Sequence, residues 1–91
     1  MYDDCTEIVG LKELTQSTSL DDYFQRDLEL VRKGHIKRED IAQRRAILEG
    51  IEASGGQWWE WVHGNVPQMQ SGGLALVREG RIVWATMTWI S

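Results

Sequence analysis

From Leu20 onward the apolar residues fall at Leu20, Phe24, Leu28 and Val31, at spacings of four, four and three. That is one stripe of an α-helix, widened by Tyr23 and Leu30. Ser19 precedes it as an N-cap with Asp22 at the third helical position, and Asp21 and Asp22 place charge at the helix's positive end. Gly34 is a natural stop after Arg32 and Lys33. The pattern predicts a helix over residues 20–33. A second stripe, Ile41, Leu48 and Ile51 with Ala42 and Ile47 beside it, predicts a helix over 38–53. Glu39 and Asp40 open that helix, and Lys37 is a poor N-cap for it. Gly50 inside its last turns costs about 1 kcal/mol against alanine, and close approach of another element would justify it. Ser54-Gly55-Gly56 ends it. The short connection makes the two helices an antiparallel hairpin.

After Gly56 the period changes. Residues 57–62, 74–77 and 82–90 are rich in tryptophan, valine, isoleucine and threonine and read as strands. Residues 15–19 read as a polar connector, and 6–11 as a short strand or an irregular arm. The expected fold is α+β, an N-terminal antiparallel helical hairpin packed on a small antiparallel sheet of three strands, or four if the arm adds one. One domain is expected over 1–91, with an arm at 1–19, the hairpin at 20–53 and the sheet at 57–91. A loop at 63–73 interrupts the sheet; loops of that length are often functional.

Cross-strand pairs follow if Glu79-Gly80 is a two-residue turn. Arg78 then faces Arg81, Val77 faces Ile82, Leu76 faces Val83, Ala75 faces Trp84 and Leu74 faces Ala85. Alternation gives one face with Leu74, Leu76, Val83, Ala85, Met87 and Trp89. The other carries Ala75, Val77, Ile82, Trp84, Thr86, Thr88 and Ile90. In the stretch GQWWEWVHGN, Trp59 and Trp61 share the core side, while Trp58 and Glu60 take the wetter one. Both faces of the sheet are apolar, and a hairpin of two helices covers only one. The arm, a second copy or a partner protein must cover the other. The expected contact face is Trp84, Thr86, Thr88 and Ile90, with Trp58 as neighbour.

Composition narrows the function classes. The chain has 91 residues, a net charge of −4 and a single cysteine, Cys5. One cysteine cannot form an internal disulfide, which fits a reducing, cytoplasmic setting. No signal peptide or membrane span is visible. The charge is uneven, with six acids against one base in residues 1–24 and seven bases against four acids in 25–48. A net acidic chain is a poor general nucleic-acid binder. The local block Arg38, Arg44 and Arg45 is the exception.

Residues 28–48, LELVRKGHIKREDIAQRRAIL, set Gly34, Ile36, Glu39, Asp40 and Leu48 in a pattern that resembles the SHOCT motif, a short helical hairpin. Lys37 stands where that family prefers threonine, and Ile41 where it prefers phenylalanine. The resemblance covers about a quarter of the chain. It implies a role in assembly or targeting and brings no active-site residues.

Two other readings remain open. A tight helical hairpin followed by a β-hairpin is part of a winged helix-turn-helix, in which Arg38, Arg44 and Arg45 would meet nucleic acid and residues 74–84 would form the wing. That fold needs a third helix, which only residues 7–14 could supply. Alternatively, Glu60 among tryptophans beside the 63–73 loop would bind a small ligand. His63 lacks an orienting acid in sequence, and nothing in the spacing supports Cys5 as its nucleophile. Gly72-Gly73 precedes a strand and so does not fit a phosphate loop. No metal-ligand spacing appears. The expectation is a non-enzymatic interaction or regulatory protein with no cofactor or catalytic residues. It works as a homo-oligomer or with another protein.

Overall fold

The computed structural model describes residues 4–64 and 70–90. They form an α+β structure with two helices and a four-stranded antiparallel sheet. Strand β1 spans Leu14–Thr18, helix α1 Leu20–Arg32, helix α2 Arg38–Glu52, β2 Gln57–His63, β3 Ser71–Arg78 and β4 Arg81–Ile90. The chain divides into two compact units, residues 19–55 and the chain on either side of them. The hairpin is therefore inserted between the first two strands of the sheet, instead of preceding a three-stranded one. Residues 15–18, expected as a connector, belong to β1. Their polarity is that of an edge strand, exposed along most of its length.

Within the helical unit the local signals hold. Ser19 Oγ accepts the Asp22 N–H at 3.2 Å. At the other end of α1, Gly34 takes φ 80°. There the Gly34 N–H reaches Val31 O at 3.0 Å and the His35 N–H reaches Leu30 O at 2.9 Å, the paired bonds of a Schellman stop. Lys37 makes no side-chain cap. Leu20, Phe24, Ile41 and Leu48 are buried, whereas Leu28 and Ile47 are exposed. Among the described residues nothing outside its own helix lies within 4 Å of where a Cβ on Gly50 would sit, so close approach of them does not explain that glycine.

The sheet runs β1-β2-β3-β4 in chain order. Its tightest connection is Glu79-Gly80, with φ 53° and 76°, the two left-handed residues of a type I′ hairpin. Arg78 pairs with Arg81 and Val77 with Ile82, as counting predicts. The register then shifts. Leu76 faces Trp84, Ala75 faces Ala85 and Leu74 faces Thr86. Val83 is the extra residue of a bulge, which moves the side chains from Trp84 to Met87 to the opposite face; a second shift makes Thr88 extra and returns Trp89, paired with Gly72, to the face of Leu74. The expected pairs Leu76–Val83, Ala75–Trp84 and Leu74–Ala85 are corrected accordingly.

One face thus carries Trp58, Leu74, Leu76 and Thr86, all buried. Trp58 and Trp84 flank Leu76 and meet edge to face, with ring centroids 6.0 Å apart. Glu60 shares this face and accepts a hydrogen bond from Gln16 Nε2 of β1. The side with Trp58 is therefore not the wetter one. The opposite face carries Trp61, Ala75 and Ala85, which form a buried cluster with Val9.

β3 starts at Ser71, earlier than expected, because its glycines permit close packing. A Cβ on Gly72 would lie 2.4 Å from the Trp89 ring, and one on Gly73 2.0 Å from the Thr86 carbonyl oxygen. Trp61 Nε1 donates to both Leu74 O and Thr86 O at 3.1 Å. The 63–73 loop shrinks to 64–70, and residues 65–69 of it lie outside the described residues.

The N-terminal arm crosses the face of Trp61. The Cys5 N–H donates to Ala85 O at 2.6 Å, on the outer edge of β4. The Ala85 N–H in turn donates to Thr6 Oγ1 at 3.1 Å. Residues 5–8 form a turn closed by the Ile8 N–H on Cys5 O at 3.0 Å. Val9 enters the cluster, with Cys5, Leu14 and Ile82 packed against it. A 3₁₀ turn, Leu11–Glu13, then leads into β1 at the far edge. The arm is thus what lies over the centre of the second face.

Candidate interaction surface

The expected contact face divides. Trp58 is 2% exposed and Thr86 is fully buried. Neither is presented on the chain's surface. Among the described residues Thr86 Oγ1 has no hydrogen-bond partner. Trp84 and Thr88 are half-buried. Ile90 is 72% exposed. Beside it the structure exposes Met87 and Trp89, with Val83 further along the same strand. Strict alternation had assigned all three to the core face. Met87 is moved by the bulge at Val83, a tertiary feature with no residue-level mark in the sequence; Trp89, paired with Gly72 beyond a second shift, keeps the Leu74 face and is exposed there.

β4 is the last strand in the sheet order, so this apolar strip runs along its edge. The arm stands beside it. Asp4, Cys5, Thr6, Glu7, Ile8 and Val83 line an open cavity of about 470 Å³. Ile8 is exposed there and the Cys5 thiol is free. Thr6 folds the tip onto itself, its N–H bonding Asp4 Oδ1 at 2.9 Å and its hydroxyl bonding the same oxygen. These two bonds, the hydroxyl's first, hold the exposed Asp4 carboxyl below its ordinary pKa.

At the arm's other end Glu13 forms a clasp. One of its oxygens accepts the Gly10 N–H at 2.8 Å, and the other meets His63 Nδ1. Burial alone would push the Glu13 carboxyl up; the Gly10 bond and the His63 partner outweigh it, leaving the pKa lowered. Glu13 is the orienting acid that sequence reasoning did not find for His63. It comes from a segment fifty residues away. Cys5 is not brought to His63. It pairs with Ala85 on β4, while His63 ends β2 opposite Ser71.

The basic block also divides. Arg45 is tied to Asp21 of α1 and, at 3.3 Å, to Glu49. The Asp21 bond leads in raising its already high pKa. Arg38 and Arg44 remain exposed. Residues 7–14 supply no third helix, since they form a turn, the 3₁₀ segment and the start of β1. Of the tryptophans proposed for ligand binding, Trp58 and Trp61 are buried. Among the described residues no group of three or more His, Cys, Asp or Glu is placed to hold a metal. Among them, too, no helix is long and apolar enough to cross a membrane.

No family model, curated protein or solved structure matches the chain.

Proposed function

We propose that this chain is a small non-enzymatic protein–protein interaction or regulatory module, acting as a homo-oligomer through the outer end of β4. The supporting observation is the exposure of Met87, Trp89 and Ile90 within the last four residues of a ten-residue edge strand. Apolar strips of this kind, on the rim of a sheet, favour association. The interface in this reading keeps Ile90, with Trp84 and Thr88 at its border, and replaces Trp58 and Thr86 by Met87 and Trp89. The SHOCT-like hairpin at 28–48 supports the same class of role.

Sedimentation velocity over a concentration series tests the reading. The expected result is a self-associating wild type and monomeric Ile90→Glu and Met87→Glu variants with unchanged melting. A wild type that stays monomeric throughout the series sinks the homo-oligomer.

A further inference from the structure

We propose that the N-terminal arm is a proton-sensitive strap over the Trp61 face, drawn tight when His63 is protonated and loosened when it is neutral. The strap works within one chain and does not rest on the homo-oligomer reading.

Its fastening lies at residues 9–13. Val9 is 6% exposed among Trp61, Ala75 and Ala85. Gly10 follows it, and the Gly10 N–H donates to one oxygen of Glu13 at 2.8 Å. The other oxygen meets His63 Nδ1 at the end of β2. One carboxylate thus ties the residue beside Val9 to a histidine fifty positions on from Glu13. A carboxylate only accepts hydrogen bonds, so Nδ1 carries the hydrogen that it donates. Nε2 is then the nitrogen that gains or loses a proton, and the bond to Glu13 survives the change. What changes is the charge on its donor. With Nε2 protonated the clasp is an ion pair. Without that proton it is a bond from a neutral ring, the weaker of the two.

Histidine is the side chain whose charge changes between about pH 5 and 8. Glu13 stays ionised across that interval: burial pushes its carboxyl up, but the Gly10 bond, His63 and the field of Lys12 together leave its pKa lowered. Among the described residues the other neighbours bring no competing charge. Ser71 stands opposite His63 on β3, and Leu14 opens β1 opposite Trp61. Glu60, the other acid of β2, is on the opposite face with Gln16. A state that holds the protonated ring more firmly is favoured as pH falls. The strap therefore tightens from about pH 8 to 5.5, the reverse of ordinary acid loosening. The His63 side chain is 57% exposed, so it follows the pH of the solvent. The same exposure screens the pair and keeps the effect to a few-fold. Loosening lifts Val9 from Trp61 and Ala75 and leaves the strand ladder intact.

Hydrogen exchange read by NMR between about pH 5.5 and 8 tests the strap. His35, exposed in the helical turn, is first replaced by glutamine, so that His63 is the one histidine left. After correction for intrinsic exchange, protection of the Gly10 amide is expected to fall about threefold to fivefold from the acid to the alkaline end. Amides of the central strand β3 are expected to hold constant. Val9 methyl shifts, which sense the neighbouring aromatic ring, are the second readout and should follow the same curve. Adding His63→Gln keeps a neutral donor and is expected to remove the step from both. Gly10 protection or Val9 shifts that ignore pH overturn the strap, as does protection that rises with pH. A fall shared equally by β3 reports the whole sheet and overturns it too. A step that survives in the His63→Gln protein has the same consequence.

Discussion

The helical unit and the sheet unit differ in how far their residues look for partners. In the hairpin the signals that set the ends of α1 act within five positions: Ser19 caps Asp22, and Gly34 lets His35 bond Leu30. In the sheet, the deciding contacts join residues far apart. Glu13 meets His63, Trp61 reaches Thr86, and Cys5 bonds Ala85. The two units accordingly respond differently to the same kind of substitution, and glycine shows this best.

The largest expected effect is Gly73→Ala. Its Cβ would meet β4 backbone, which cannot step aside as a side chain can. A loss of about 3 kcal/mol or more is expected, lowering Tm by roughly 15 °C in thermal melts monitored by circular dichroism. A loss below about 1 kcal/mol would mean that β3 and β4 do not approach so closely. Thr86→Val comes next, with the opposite sign. It removes a buried hydroxyl that lacks a partner among the described residues, while keeping the shape. A gain of about 1–2 kcal/mol in urea unfolding is expected. A loss would show that the hydroxyl finds a partner or a bound water.

Gly50→Ala, in the helical unit, is expected to gain about 1 kcal/mol, because the site is open and the helix favours alanine. An equal loss there would erase the contrast with Gly73. The smallest effect concerns pH. Glu13 has a lowered pKa in the folded chain. Its contribution is therefore present above the pKa of the unfolded carboxyl and fades as pH falls through the lower folded value. Glu13→Gln should flatten this part of the acid limb of the stability curve. An unchanged limb would show that the clasp to His63 adds nothing.

The boundaries of α1, α2 and β4 were legible from period, caps and glycine stops, and so was the turn at Glu79-Gly80. β1 was not, because an edge strand exposed along most of its length carries no apolar alternation. The start of β3 was hidden because glycine ordinarily punctuates strands, and only the Trp89 ring and the β4 backbone reveal why Gly72 and Gly73 belong inside one. The contact face moved because β4 carries two register shifts, at Val83 and at Thr88. Trp84 and Trp58 meet edge to face, yet Trp58 is interior. In β4 periodicity reads the faces correctly up to the bulge at Val83, inverts them beyond it, and is set right again by the second shift at Thr88.

The bond between Thr6 and Ala85 spans 79 positions of chain. Closing so long a loop costs little more than closing one of half the length, since the entropy grows only logarithmically. The time needed is another matter, because contacts this distant in sequence are slow to find. The tip is also synthesised 79 positions ahead of its seat. Until the arm docks, the cover that Val9 and Cys5 give Trp61, Ala75 and Ala85 is missing. The arm is therefore a latecomer in folding, and the interval before it docks is when the newly made sheet is most open to another chain.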